Sequence, residues 1–299
     1  MKAIVTGGAG FIGSNLVDEL VNRNFKVKVL DNLSTGNLEN INKKAEFLNS
    51  DIVELNQSDL SNIINGFDFV FHLSALPRIT PSFTSPLEHH KANIDATLKL
   101  IIASKKANIK KIIYSGSSSV YGNPKKVPTS ENDPVDPLNP YALQKYTAEQ
   151  YGLLLGRHLE MPFISLRYMN PYGKRSFNLN NPYNAYTSVI GIFENCYKSG
   201  AVLKITGDGS QRRDFIDIRD VVEANIVTAL SDIEFDIFNI GTGKTYSILE
   251  VAKMFGKNYE FIEQRKGEAS ITQADISNIQ KKTSWRPNFK LEEYIRNLL

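Results

Sequence analysis

Residues 2–13 read Lys-Ala-Ile-Val-Thr-Gly-Gly-Ala-Gly-Phe-Ile-Gly: an apolar run, Lys2–Thr6, that passes straight into Gly7, Gly8, Gly10 and Gly13 and then into Ser14-Asn15-Leu16. A strand followed by glycines at this spacing and then by a helix allows a tight turn. It also lets the backbone approach a bound pyrophosphate and lets the helix pack on the strand with no Cβ between them. A helix beginning at Ser14 would offer its unpaired N–H groups and positive end to the phosphates. Glycine-rich turns also serve purely structural ends, so the surrounding sequence has to decide. The next apolar run, Lys26–Leu30, ends at Asp31, 18 residues past Gly13. That is close to the ~20-residue offset of an acid that accepts hydrogen bonds from an adenosine ribose. A carboxylate there repels a 2′-phosphate, and no arginine follows within Asn32–Asn37, so the expected cofactor is NAD rather than NADP.

Outward from this stretch, short apolar runs alternate with helical segments, the pattern of a parallel sheet with crossover helices. Strands are expected at Lys2–Thr6, Lys26–Leu30, Glu46–Leu48, Phe67–Leu73, Lys111–Ser115 and Phe163–Arg167, and helices over 88–107 and 141–158. Beyond about residue 170 the rhythm changes. Asn170–Asn184, dense in Asn, Pro and Tyr, reads as loop. There follow a helix Tyr186–Ser199, a strand Val202–Thr206, the turn Gly207-Asp208-Gly209, a helix 218–230, a strand 236–240, a helix 247–255 and a C-terminal helix from 290. The expectation is an α/β protein. A Rossmann-type doubly wound parallel sheet spans residues 1–170, and a smaller C-terminal α/β substrate lobe spans 171–299, with some of its strands and helices returning to the first domain.

Composition bounds the function. The 299 residues carry 35 basic and 32 acidic side chains, a net +3, and are 41% hydrophobic: a folded chain with no charge excess to attract nucleic acid or a membrane surface. The single cysteine, Cys196, excludes an internal disulfide framework, and four histidines without a Cys-x-x-Cys give no zinc spacing, so no metal is expected. No apolar run approaches the ~18 residues of a membrane span. The short Ala3–Val5 run lacks the layout of a signal peptide, and a cytoplasmic location is expected.

Two later segments carry chemistry. Tyr141 and Lys145 stand at i and i+4, on one face of a helix. A phenol with a pKa near ~10 acts as a base at neutral pH only beside a cation, which Lys145 would supply. The pair alone is common on exposed helices. Upstream, the strand Lys111–Ser115 runs into Ser115-Gly116-Ser117-Ser118-Ser119-Val120-Tyr121-Gly122, and strand C-terminal ends face the ligand crevice of an open parallel sheet.

Taken together with Asp31-Asn32-Leu33, Ser50-Asp51-Ile52 and His72-Leu73-Ser74-Ala75, these motifs resemble the extended short-chain dehydrogenase/reductase family over essentially the whole chain. Within it the sequence resembles the NAD-dependent nucleotide-sugar epimerase/dehydratase branch, and most of all its UDP-hexose 4-epimerases. The resemblance implies Ser117, Tyr141 and Lys145 as catalytic residues. For the cofactor it implies Gly7, Gly10, Phe11, Ile12 and Gly13; Asp31, Asn32, Ser34 and Gly36; Asp51 and Ile52; Leu73, Ser74 and Ala75; and Asn93, Ser115 and Tyr168, with Tyr141 and Lys145. Arg167-Tyr168-Met169-Asn170 is similar to a segment whose asparagine meets the substrate diphosphate. Arg212-Arg213-Asp214-Phe215 and Arg265-Lys266-Gly267-Glu268 are similar to segments whose arginines grip phosphate, with Glu268 on ribose; Arg213 is preferred to Arg212 by register. Two guanidiniums suit a diphosphate because each donates in a fork.

The serine loop discriminates among branch members. A 4,6-dehydratase of the branch carries Asp-Glu at the positions of Ser118 and Ser119 and the decarboxylase carries Glu at Ser119, and the absence of these acids favours epimerisation. By alignment Thr272 stands where galactose-type enzymes that reject N-acetyl sugars carry a tyrosine, which implies room for an acetamido group or, if the register is off by one, nothing about the gate. The implied activity interconverts UDP-glucose and UDP-galactose, with UDP-N-acetylhexosamines accepted, by transient C4 oxidation with bound NAD in a homodimer. The competing enzyme reading is 4-epimerisation of a UDP-uronic acid, with Arg78 or Arg175 meeting the sugar carboxylate. A non-catalytic NAD-sensing protein on this fold predicts loss of Tyr141 or Lys145, and both are present.

Overall fold

The computed structural model describes residues 1–77, 79–177, 188–256, 258–263 and 269–299. The chain begins with β1 (Lys2–Thr6), α1 (Phe11–Asn22) and β2 (Lys26–Asp31). Helix α1 starts three residues before Ser14, directly on Gly10, so the glycine turn is tighter than the sequence suggested. Next come β3 (Glu46–Asn49), α2 (Gln57–Ile64) and β4 (Phe69–His72). The expected helix over 88–107 is preceded by α3 (Ile79–Thr84) and is divided into α4 (Pro86–His90), a one-turn π bulge at Lys91–Asp95, and α5 (Ala96–Lys106). Strand β5 (Lys111–Ser117) carries the serines at its end, α6 (Pro140–Leu159) carries Tyr141 and Lys145, and β6 (Phe163–Tyr168) follows.

The second half contains β7 (Pro171–Tyr172), α7 (Val189–Ser199), β8 (Leu203–Thr206), β9 (Arg212–Asp214), β10 (Ile216–Asp217), α8 (Ile218–Leu230) and β11 (Phe235–Ile240). The last elements are β12 (Thr245–Ser247), α9 (Ile248–Met254), β13 (Tyr259–Ile262), β14 (Ile271–Thr272), α10 (Ser277–Lys282) and α11 (Leu291–Leu298).

Seven strands form the main sheet in the order β11-β6-β5-β4-β1-β2-β3, every pairing parallel. This is the doubly wound arrangement, and its order reverses at β1 and β4, where the crevice at the strand C-termini opens. Both faces are covered. One core packs α1 and α8 against the sheet through Leu16, Val17, Val221 and Phe238, and the other packs α2, α5 and α6 through Leu60, Leu100 and Leu153. Strand β11 and helix α8 therefore return from late sequence to the first-half sheet. The smaller lobe has its own core of Tyr172, Phe193, Ile205, Phe215, Val251 and Phe255, with the short sheets β12-β9-β14 and β13-β8. No helix among the described residues is long and apolar enough to cross a membrane.

Candidate active site

A cleft of about 1220 Å³ runs from the switch point of the main sheet to the small lobe. It exceeds the ~300–1,000 Å³ of a pocket for one drug-sized ligand and has room for a dinucleotide beside a second nucleotide.

Its first wall is the glycine turn. Gly7 takes φ +71°, and a Cβ there would stand 2.6 Å from the amide nitrogen of Ser74; one on Gly13 would stand 2.1 Å from the carbonyl oxygen of Gly7. Neither position admits a side chain. Gly10 caps α1 without any side-chain hydrogen bond, and no acid stands in the first turn, which leaves the helix N–H groups and positive end to the cleft, where Phe11, Ile12 and Gly13 line it. This cradle fits a pyrophosphate.

Asp31 ends β2 on the same wall. Its Oδ2 accepts from Ala9 N at 2.9 Å and its Oδ1 from Leu33 N at 2.8 Å, so the carboxylate braces the glycine turn as well as facing the cleft. Burial pushes its pKa up against those two bonds. Asn32 donates to Asp51 Oδ2 at 2.7 Å, and Asn32, Ser34, Asp51 and Ile52 all line the cleft. Gly36 does not line it. It lies against Ala9, where a Cβ would come within 2.6 Å of the alanine methyl, and so lets the loop close over the turn. Asn93 is likewise off the wall. Its buried amide accepts from Leu76 N (2.8 Å) and donates to Leu76 O (3.0 Å) and Gln144 (2.9 Å), holding the loop after β4 from beneath. Leu73, Ser74, Ala75, Ser115 and Tyr168 line the cleft.

Helix α6 places the second group. The Asn139 side chain accepts from Ala142 N at 2.9 Å and Pro140 takes the first helical position, a strong N-terminal signal. Tyr141 therefore falls in the first turn and Lys145 one turn on, both on the cleft wall. Tyr141 is hydrogen-bonded to Ser117; burial raises its pKa and this bond opposes the rise. Ser117 Oγ and Ser119 Oγ are 2.7 Å apart, so three hydroxyls adjoin. Lys145 is 3% exposed, with its ammonium 4.2 Å from the centre of the Tyr114 ring. Burial lowers its pKa to about 7, and Glu149 pulls the other way. A group that titrates near neutrality in a cleft is placed for proton work.

His72, at the end of β4, stands in the motif His72-Leu73-Ser74-Ala75 but carries no role in the sequence reading. Its Nδ1 lies 2.8 Å from Thr6 Oγ1 and its Nε2 3.0 Å from Thr97 Oγ1. Burial, then the charge of Lys145, lower its pKa to about 3, so the ring is neutral and aligns the ends of β1 and β4. A polar residue closing the apolar run Phe69–His72 was the available signal. Sequence reasoning passed over the partners of Glu149 and Arg167, described below.

The far wall belongs to the small lobe. Asn170 follows β6 at φ +38° and donates to Asp214 O at 2.9 Å and to Thr272 Oγ1 at 3.1 Å. Side chains alternate along β9: Arg213 lines the cleft, whereas Arg212 turns away to Thr245 and Glu250. Thr272 pairs in register with Arg213 and lines the cleft. The buried carboxylate of Asp214 accepts from Thr242 N (2.8 Å), Thr242 Oγ1 (2.7 Å), Gly243 N (2.9 Å) and Ala274 N (3.1 Å). It knots the segments that carry Asn170, Arg213 and Thr272. Arg265, Glu268 and Arg78 lie outside the described residues. Arg175 donates to Asp18 Oδ2 at 2.8 Å and is not on the cleft wall.

Known proteins resemble the chain over nearly its whole length. The chain is 32% identical over 328 residues to the UDP-glucose 4-epimerase of Bacillus subtilis, covering 98% of this chain and 94% of that one. A UDP-N-acetylglucosamine 4-epimerase from Methanobrevibacter ruminantium M1, solved with UDP-N-acetylmuramic acid, superposes with a TM-score of 0.91 at 37% identity, covering 99% of this chain and 96% of that one. The UDP-glucose 4-epimerase of Thermotoga maritima, solved with UDP-glucose, gives a TM-score of 0.92 at 34% identity over the same shares. A family model matches residues 3–241, and the chain belongs to the NAD dependent epimerase/dehydratase family.

Proposed function

We propose that the protein is a UDP-sugar 4-epimerase that interconverts UDP-glucose and UDP-galactose and extends to their N-acetyl counterparts. The observation that carries this reading is the meeting of Tyr141, Ser117 and Lys145 beside an acid-free serine loop, across one cleft from Asn170 and Arg213. Bound NAD supplies a reversible hydride acceptor at the sugar C4. Gly7, Gly10, Gly13 and Asp31 would hold it, and the open N-terminus of α1 suits its pyrophosphate. Tyr141 takes the proton from the C4 hydroxyl and later returns it, with Ser117 as hydrogen-bond relay. Lys145 favours the phenolate. Asn170 and Arg213, joined by Arg265 and Glu268, grip the UDP moiety, so binding energy is placed away from C4 and the hexose is free to turn.

The small side chain of Thr272 supports acceptance of an acetamido group, and the relative solved with UDP-N-acetylmuramic acid supports a roomy sugar site. The uronic-acid alternative loses Arg175 to Asp18. In this reading residues 1–170 hold the cofactor, 171–299 hold the nucleotide sugar, and the enzyme works as a homodimer. A cytoplasmic setting accords with a lone cysteine that has no partner in the chain.

Incubation with each of UDP-glucose, UDP-galactose and the two N-acetyl forms, followed by proton NMR, should yield the C4 epimer in every case. Conversion of UDP-glucuronic acid alone would replace the proposal. Tyr141→Phe should reduce turnover by about 10²-fold or more while NAD remains bound; activity retained in that variant removes Tyr141 as the base.

A further inference from the structure

A buried network joins the helix of Tyr141 and Lys145 to the sheet, and the mechanism above leaves it unused. Glu149 stands one more turn along α6, so Tyr141, Lys145 and Glu149 follow at i, i+4 and i+8 toward β5 and β6. Glu149 and Arg167 have side chains only 1% and 2% exposed. The guanidinium donates in a fork, Nη2 to Glu149 Oε1 at 2.6 Å and Nε to Oε2 at 3.0 Å, and Ser165 Oγ donates to Oε2 at 2.7 Å. Arg167 Nη1 donates to the Tyr121 hydroxyl at 2.7 Å, which donates to Asn239 Oδ1 at 2.8 Å. The Asn239 amide in turn donates to Thr129 O at 2.9 Å.

Such a pair is a weak source of stability, because apolar side chains of similar volume often serve as well. Its placement suggests another purpose. Arg167 stands on β6 three residues before Asn170, so the fork fixes α6 against the strand that leads to the substrate side. Glu149 brings a carboxylate within one helical turn of the Lys145 ammonium. We propose that Glu149, held by Arg167, is a positioning residue for the proton transfer at Tyr141: it sets α6 at the height where Tyr141 meets Ser117, and it supplies the counter-charge to Lys145. The inference rests on the reading of Tyr141 as the base.

Among the described residues, the groups around Lys145 are few. Helix α6 presents Tyr141 and Glu149, β4 presents neutral His72, and β5 presents the Tyr114 ring. Arg167 and Tyr121 stand beyond Glu149, with Glu131 behind Arg167. The helices on the other side bring the neutral Asn93, which donates to Gln144 of α6, His89 bonded to Ser85 O, and Glu88 and Lys91 on the cleft wall, with His90 and Asp95 paired at the surface. Glu149 is the carboxylate that opposes the effect of burial on Lys145.

Glu149→Gln keeps the shape and removes the charge. Lys145 then loses its proton at lower pH, because the one charge that opposes the effect of burial on it is gone. In the kcat profile the limb on which Lys145 loses its charge should move down by roughly one pH unit. KM for UDP-glucose should stay within about twofold, because the grip on the diphosphate is elsewhere. Glu149→Asp, which keeps the charge, should stay close to the parent profile. An unshifted profile in Glu149→Gln, with only a lower melting temperature, overturns the inference. If that variant does not fold, the double variant E149Q/R167M leaves no unpaired buried charge and is read in the same way. An inactive Tyr141→Phe together with an unshifted Glu149→Gln discards this inference alone, whereas an active Tyr141→Phe discards the reading beneath it.

Discussion

His72 connects a single side chain to the pH behaviour of the whole fold. Its ring is 1% exposed and lies between two threonine hydroxyls that suit the neutral form, and burial holds its pKa at about 3. An unfolded histidine titrates near ~6.5. Between these values the unfolded chain binds more protons than the native one, so stability rises with pH across the window. The contribution is full above pH 6.5 and is lost as the pH falls towards 3, by roughly 4 kcal/mol at the bottom. Replacing His72 with Gln, which does not titrate, should make the melting temperature fall less steeply than the parent's between pH 7 and pH 4. Equal slopes in the two proteins would show that His72 is not the group responsible. At this scale much of the site was legible, and for a local reason. Tyr141 and Lys145 are one helical turn apart, and Gly7 to Gly13 form one turn of chain. His72 was not legible, because its partners stand 66 and 25 residues away.

Elements with a strong period were recoverable, and those defined by long-range bonds were not. Strands β1, β2, β5 and β6 are apolar runs of five to seven residues, and the sequence places each within two residues of its observed ends. Strands β7, β10 and β14 have two residues each, and β9 and β12 three, too short to show alternation. They exist because distant segments pair, and Asp214 shows how. Its single carboxylate takes four hydrogen bonds from Thr242, Gly243 and Ala274, while its own carbonyl accepts from Asn170. Asp214→Asn puts an NH2 where an acceptor is required and leaves buried N–H groups unpaired, at a cost of about 2–4 kcal/mol. The same change should loosen Arg213, Asn170 and Thr272 together. Titration of the variant with UDP-glucose should show KM raised about tenfold and kcat changed much less. A fall in kcat with KM unmoved would mean that the knot serves the chemistry and not the grip.

Across the whole molecule, several large apolar side chains are exposed on the helices that back the catalytic wall, beside others such as Leu38 and Phe261 elsewhere. Leu143 and Leu154 of α6 are 54% and 67% exposed, Leu87 of α4 is 78% and Phe83 of α3 is 57%. Tyr151 on α6 and Ile102 on α5 are also open to solvent. Residues 143, 151 and 154 fall on one face of α6, and α3, α4 and α5 all pack against that helix, so these side chains stand on neighbouring helices. A monomer rarely leaves a large continuous apolar surface in water. A flat face of two or more helices is self-complementary under a two-fold axis, which is the geometry of the proposed homodimer. Each subunit would need to bury about 800 Å² there for a stable pair. Glutamate at both 143 and 154 would then set carboxylates against apolar neighbours and against their own copies across the axis, a cost that an interface of this size does not absorb. The double variant should sediment at the 33.5 kDa mass of one chain while the parent sediments at twice that value. Gly7, Gly10, Gly13, Asp31 and Asp51 line one cleft between elements of the same sheet, so the separated subunit should still bind NAD. Its turnover should fall nonetheless, because α6 carries Tyr141 and loses the packing on its outer face. A parent protein that remains monomeric at micromolar concentration would free these side chains from this role. Loss of NAD binding on separation would mean that the cofactor site depends on the partner.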